Sequence, residues 1–425
     1  MFRHKILCKK NSAAILIVAA LFLSFPAVAA ENDPLLQKAR SGDIPAQLQL
    51  GREYISGSKR RKNPVLAFYW FRKAAASGNA YGAYNLALCY EKGWGTATSE
   101  AAAFYWYQMA GKVIAAGKMK FAEMLYRGVE PETNPHGRFP GSKAEPEKAL
   151  EIMRRLAEND PEYLFTLAKY LYKNAPAHAA ELRRTLETYM EKSAEPEPEA
   201  MVLYAACLRS GIGGFVPDPP AGAKILRLAA DRKHPEAMAQ LAELYQIGAG
   251  VPTDRKKALS LTKQAAALGS PRAQVNMGKA YMQGLNVETD LAKAFNCFQK
   301  AGETGYPPAL RYLGDCYAFG YAVSPDKKKA VEYYRQAAAA GDDQGMYALG
   351  MAYKNGEGTN QNDLESFYWL YRAAQSGSFP GMYEAGKALI EGRGVKKDFA
   401  RGVQLLKQAA TVNIQAAEYL KQLEE

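Results

Sequence analysis

The sequence predicts an all-α protein: a right-handed α-solenoid of about ten helix-turn-helix units, each 36 residues long. Three observations predict it. The run "YQIGAGVPTDRKKA" from Tyr245 is echoed 36 residues on by "YMQGLNVETDLAKA", and again by "YAFGYAVSPDKKKA" from Tyr317. Cutting at Ala237, Ala273, Ala309, Gly345 and Gly381 aligns five units without a gap. Ala and unbranched residues are plentiful, and such residues lose little rotamer freedom in a helix.

The chain begins with Arg3, Lys5, Lys9 and Lys10, then the apolar run "AAILIVAALFLSF", then Pro26 and the small residues "AVAA". That is the pattern of a secretory signal over residues 1–30. Export is expected, to the periplasm first of all. Secretion, or anchorage through an uncleaved leader, is the lesser alternative, because about 18 apolar residues just span a bilayer. No later segment is apolar enough to span. Removing residues 1–30 takes away four cations and no anions, leaving 51 against 43, or +8. A moderate positive charge attracts acidic surfaces, and export argues against nucleic acid as a partner.

A half-repeat is expected over residues 31–45, followed by two regular units over 46–116. In each unit a first helix ends in Gly (Gly248, Gly284, Gly320, Gly356, Gly392), which adopts the left-handed stop without a Cβ clash. The second starts at Asp254, Asp290, Asp326 or Asp398, where a carboxylate accepts orphan backbone N–H groups. Gly278, Gly314, Gly350 and Gly386 recur inside the first helix. A mid-helix Gly costs about 1 kcal/mol against Ala, so its repetition signals a close crossing. Tyr245, Tyr281, Tyr317 and Tyr353 fill the space between neighbouring helices. One such pair cannot bury its apolar face alone, and stacking on its copies does so.

These residues resemble the Sel1-like repeat, a relative of the tetratricopeptide repeat with a longer inter-helix loop. The carriers are the Leu-Gly/Ala-x-x-Tyr run, the Gly-x-Gly-Val loop (Gly248, Gly250, Val251; Gly392, Gly394, Val395), the Asp before Lys-Ala, and the Ala-Ala tail. The resemblance is strong over 46–116 and over repeats six to ten at 237–416. Three divergent repeats are expected over 117–236, where Leu125 or Tyr126, then Leu171 and Leu208, take the Tyr place and Asn174 replaces the Gly stop. The segment 129–147 lengthens one of them with Pro and Gly, a surface loop by composition. Residues 417–425 form a partial helix.

Candidate chemistry is sparse. His136, His178 and His234 make no zinc-type spacing with Cys or with one another, and the Gly-x-Gly pairs lie between helices rather than after a strand. No metal and no cofactor are expected. Of the cysteines after the leader, Cys89, Cys207 and Cys316 share one phase of the repeat and read as small core residues; Cys297 with Cys316 is the pair best placed for a disulfide. "SKRRKN" (58–63) is either a solvated loop or a dock for an anionic surface. The clusters "FYWF", "FYWY" and "FYWL" recur at one phase of the second helix, which suits packing.

The first-helix stripe that leaves the core varies in charge and size where packing positions repeat. It includes Arg52, Glu243, Lys279, Arg311, Asp315, Tyr347, Tyr383 and Lys387, the expected partner-binding residues. The resemblance implies a non-catalytic, exported scaffold that binds protein or peptide through the concave face. The alternative is a cell-wall enzyme, or a binder of peptidoglycan or β-lactam, of the cysteine-rich exported type; those carry a regular Cys pair in each repeat, which this chain lacks.

Overall fold

The computed structural model describes residues 33–424. The leader over 1–30 lies outside the described residues. The chain divides between Ala194 and Glu195 into two compact units. The first holds α1 (Pro34–Arg40), α2 (Ile44–Ser56), α3 (Pro64–Ala76), α4 (Ala80–Lys92), α5 (Glu100–Ala110) and α6 (Ala115–Arg127). A two-stranded hairpin, β1 (Glu132–Asn134) and β2 (Gly137–Phe139), precedes α7 (Pro146–Asn159), α8 (Leu164–Lys173) and α9 (Ala179–Lys192).

The second unit is a run of antiparallel pairs: α10 (Pro198–Ser210) with α11 (Pro219–Asp231), α12 (Pro235–Ile247) with α13 (Arg255–Ala267), and α14 (Pro271–Gln283) with α15 (Leu291–Glu303). It continues with α16 (Pro307–Phe319) and α17 (Lys327–Ala339), α18 (Asp343–Asn355) and α19 (Asp363–Gln375), α20 (Phe379–Glu391) and α21 (Phe399–Ala409), and ends in α22 (Ile414–Glu424). Each helix packs on the next, and the first helices of successive pairs also touch, α12 on α14 and α16 on α18 among them.

The local rules act as the sequence implies. Gly248 and Gly320 stop their helices at φ 75° and 76°. Asp254, Asp290, Asp326 and Asp398 each accept the N–H three residues on, at 2.9–3.0 Å. A second bond closes the loop within each repeat of the second unit: the N-cap residue donates its own N–H to the carbonyl of the Tyr place, as from Asp254 to Tyr245 at 2.8 Å and Asp326 to Tyr317 at 2.7 Å. Glu145 makes the same bond to Leu125, which assigns the Tyr place of that divergent unit to Leu125 rather than Tyr126.

The mid-helix glycines face the second helix of their own repeat. A Cβ on Gly278 would run into the ring of Phe298, and one on Gly350 would lie 2.7 Å from Leu370 Cγ. Phe298, Leu370 and Leu406 are buried there, each contributing about 1.5–3 kcal/mol by burial. The missing glycine side chain is what lets those large residues in.

One expectation differs from the structure, and one question that the sequence leaves open is answered. The segment 129–147 is not an open loop. Its hairpin pairs Glu132 with Phe139 and Asn134 with Gly137, and Val129 bridges Ser142. The turn Asn134-Pro135-His136-Gly137 was its signal, since Asn, Pro and Gly supply the dihedrals that a tight reversal needs. Cys297 and Cys316 form no disulfide: Cys89, Cys207, Cys297 and Cys316 are all free thiols. Burial raises the thiols of Cys89 and Cys316 to about 12 and that of Cys207 to about 11, as small core residues require.

Candidate functional site: the first-helix face and three clefts

In the second unit the first-helix face carries polar bridges from repeat to repeat. Arg209 on α10 donates to Gln240 Oε1 on α12 at 3.2 Å. Arg272 on α14 donates to Glu236 Oε1 at 2.7 Å and to Glu243 Oε2 at 3.5 Å, and Asn276 Nδ2 to Glu243 Oε1 at 2.9 Å. Lys354 Nζ reaches Glu384 Oε2 at 2.6 Å. Glu243 therefore joins two repeats by direct contact.

Arg311 and Asp315 form an enclosed site with Tyr312, Tyr334 and Asp342. Arg311 Nη1 donates to Asp315 Oδ2 at 3.0 Å, and its guanidinium lies 3.9 Å from the centroid of Tyr312. Tyr334 donates to Asp315 Oδ1 at 2.8 Å. The Arg311 Nε sits 3.3 Å from Asp342 Oδ2, an ion pair without hydrogen-bond alignment, so this buried donor lacks an acceptor among the described residues. Burial pushes the Asp315 and Asp342 carboxyls up, and the Arg311 charge opposes it. Burial works to lower Arg311 too, but Tyr312, Asp315 and Asp342 together hold it above its ordinary range.

The remaining stripe residues differ in setting. Tyr347 is half-buried between the clusters around Leu349 and Leu370. Lys387 Nζ lies 5.2 Å from the ring centroids of both Tyr383 and Tyr419, a cation held over two aromatic faces. Lys279 is half-buried at the mouth of a cleft between α13 and α14. Arg52, in the first unit, is exposed. The structure thus brings together Arg311 with Asp315 and Tyr383 with Lys387, and spreads the others over separate first helices.

The first unit holds what the sequence did not foretell. The hairpin docks back on the first two repeats. The His136 ring lies 5.0 Å from Phe68 and 6.1 Å from Tyr90, and its Nδ1 lies 3.2 Å from Arg72 Nη1. Burial, then the Arg72 charge, lowers the His136 pKa, so Nδ1 accepts from the guanidinium. Phe139 sits 5.9 Å from Tyr90 and 5.7 Å from Tyr105. Ser99, which caps α5, donates to Glu132 Oε2 at 2.7 Å. Between hairpin, α5 and α6 lies a polar cleft of about 710 Å³. A second one, of about 240 Å³, shares Ser99 and Arg127 with it and is floored by Tyr107 and Glu91. Tyr107 donates a very short hydrogen bond to Glu91. Burial and the Glu91 charge drive the Tyr107 phenol far up. Burial also works to raise Glu91, but the hydrogen bonds from Tyr107 and Lys92 outweigh it and hold the carboxyl below its usual range.

Elsewhere the cations of "SKRRKN" are not all loose: Arg60 pairs with Asp33 at 2.5 Å and Glu53 at 2.9 Å, over the ring of Tyr54. His234 caps α12, accepting from the Ala237 N–H at 3.2 Å. The cluster at Phe68–Phe71 buries three of its four rings and that at Phe104–Tyr107 two, whereas at Phe367–Leu370 Phe367 and Trp369 are half-buried and Tyr368 is exposed. Among the described residues no group of three or more His, Cys, Asp or Glu is arranged to hold a metal ion, and no helix is long and apolar enough to cross a membrane.

The sequence profile of the Sel1 repeat matches residues 44–79, 80–112, 198–234, 235–270, 271–306, 307–342, 343–378 and 380–413. A secretory immunoglobulin A-binding protein of Escherichia coli is 40% identical over 68 residues, which is 16% of this chain and 14% of that protein. A crystallised protective antigen of uropathogenic Escherichia coli with an SLR fold is 23% identical over 90% of this chain and 88% of its own, with a TM-score of 0.48. A Sel1 repeat protein from Oxalobacter formigenes is 29% identical over 59% of this chain and all of its own, with a TM-score of 0.49. An immunity protein from Pseudomonas aeruginosa is 23% identical over 53% and 83%, at 0.38.

Proposed function

This chain belongs to the Sel1 repeat family, and from that premise we propose that it is an exported, periplasmic, non-catalytic scaffold binding a protein or peptide along its first-helix face. Sel1-repeat proteins are generally protein-interaction scaffolds. The observation that carries the reading is the contrast between two sets of equivalent places. Facing the second helix, Gly278, Gly314, Gly350 and Gly386 repeat; at the next place the same helices carry Lys279, Asp315, Met351 and Lys387, of which Asp315 is held by Arg311 and Tyr334 and Met351 packs beside Leu370, so that Lys279 and Lys387 are left to vary at the surface. Invariant packing with a freely varied outer row is how a repeat array writes specificity. A short stretch of the chain is similar to a protein named for binding secretory immunoglobulin A, in keeping with protein recognition.

The cell-wall enzyme is the weaker reading. Its cysteine-rich relatives rest on paired cysteines, whereas the four here are unpaired. With thiols raised by burial, Cys89, Cys207 and Cys316 are poor nucleophiles near neutral pH. The test is cross-linking capture from cells producing the tagged chain, compared with a triple variant Arg52→Ala, Lys279→Ala, Lys387→Ala. Arg311 is left in place because it bridges Asp315 and Asp342. Reduced capture at unchanged helicity supports the reading; undiminished capture removes the stripe.

A further inference from the structure

The junction between the repeats at 235–270 and 271–306 departs from its neighbours at two places. The first is Thr262. Equivalent places 36 residues apart hold Leu226, Phe298, Tyr334, Leu370 and Leu406, all buried. Thr262 is small and polar, and its hydroxyl donates back to the Ala258 carbonyl at 2.8 Å. The second is Asn286. At its equivalents Gly250, Gly358 and Gly394 a Cβ would run into backbone of the preceding second helix, at Pro219, Lys327 and Asp363. Asn286 holds the same left-handed backbone, φ 57°, but carries that Cβ, so its loop cannot approach α13 as closely. Ala322 has a Cβ at the next junction, yet there Phe298 stacks on Tyr312 at 4.7 Å and fills the gap. Here nothing equivalent does. Of α13 only Ala258 and Ala265 are buried, and a cleft of about 420 Å³ remains.

The chemistry of that cleft is one-sided. Arg255 and Lys279 line it, and no carboxylate does. Among the described residues neither cation stands in an ion pair. Of the acids near it in sequence, Asp254 accepts the Lys257 N–H at 2.9 Å, Glu243 takes Arg272 and Asn276, and Glu288 is exposed outside the lining. Apolar wall comes from Leu259 and Met277, with Ile247 72% and Leu285 44% exposed at the rim. Gln246 and Asn286 add amides that can pair with a peptide backbone. The volume falls within the roughly 300–1,000 Å³ of ligand clefts. A free inorganic anion would leave Ile247 and Leu285 uncovered.

We infer that this cleft binds an acidic peptide segment carrying an apolar side chain, with Arg255 and Lys279 facing its carboxylates and Leu259, Met277 and the Ile247–Leu285 rim taking the apolar group. The inference rests on the peptide-binding reading above and gives it a position and a ligand class.

The test uses the chain produced without residues 1–30 and two fluorescein-labelled pentapeptides, Glu-Leu-Glu-Phe-Glu and Lys-Leu-Lys-Phe-Lys, titrated by anisotropy. The acidic peptide binds, and the charge-inverted one is weaker by about tenfold or more, the factor that 1.4 kcal/mol of charge complementarity gives. Arg255→Ala with Lys279→Ala lowers acidic-peptide affinity by about three- to tenfold, as two exposed ion pairs would. Thr262→Leu, which places here the side chain that Leu226 provides one repeat earlier, narrows the cleft, weakens acidic-peptide binding and raises the urea midpoint, so loss of binding cannot be read as unfolding. Equal affinity for the two peptides, or full affinity in Thr262→Leu, overturns the assignment. If the acidic peptide fails to bind while cellular capture remains sensitive to the stripe variant, the cleft assignment falls and the scaffold reading stands.

Discussion

Gly314→Ala inverts the usual expectation for a helix interior. In a solvent-facing helix the change stabilises by about 1 kcal/mol. Here the new Cβ would sit 2.5 Å from Tyr334 Cε1 and 2.6 Å from Cδ1, well inside van der Waals contact. The ring has little room to move, since its hydroxyl is held by Asp315 at 2.8 Å and its side chain is buried at 7% exposure. Overpacking of this kind costs about 1–3 kcal/mol, and displacing Tyr334 would forfeit a hydrogen bond to Asp315 of about 1 kcal/mol. Against the propensity gain, the net is a destabilisation of about 1–3 kcal/mol. Urea unfolding followed by circular dichroism reads it as a lower midpoint at unchanged slope. A midpoint equal to or above that of the parent chain would refute the claim that close crossing selects these glycines.

Arg311→Ala leaves Asp315 and Asp342 facing each other without their cation, and a loss of about 3 kcal/mol is expected; adding Asp342→Asn, which keeps the cap on Gly345, should recover part of it in the same urea assay. Glu91 sits below its ordinary 4.5, so its stabilising share is complete above that value and is lost as pH falls below it through the lowered folded-state value. Tyr107 sits above its ordinary 10.0, so its share is complete below pH 10 and is lost as pH rises beyond. Glu91→Gln should flatten the acid limb of a stability-against-pH curve, and an unchanged acid limb would contradict the assignment. Phe139→Ala removes the hairpin anchor against Tyr90 and Tyr105, costing about 3 kcal/mol locally. Hydrogen exchange should rise across 132–139 and stay unchanged over α12–α20.

The repeats were legible because their signals are local. A Gly stop, an Asp cap and a small mid-helix residue each act within one turn, and the 36-residue stride exposes them. Leu125 could be settled against Tyr126 only by the bond that Glu145 makes across the inserted segment, which periodicity does not encode. The hairpin was hidden because its Pro and Gly count as loop signals until Phe139 and His136 find Tyr90 and Phe68. The candidate stripe was read by face alone. Face cannot tell Arg311, locked between two aspartates, from Lys279 at an open cleft. The cleft itself was visible in principle: Thr262 and Asn286 break two otherwise regular columns, a departure apparent only once packing shows what those columns do.

The scaffold account is tested most directly by site-specific photo-cross-linking in cells. Benzoylphenylalanine replaces Lys279 or Lys387 on the first-helix stripe, and Lys263 or Lys300, exposed on second helices, in a parallel set. The account expects partner adducts from the first two positions and none from the last two. Adducts confined to the second helices, or equal from both, would contradict it.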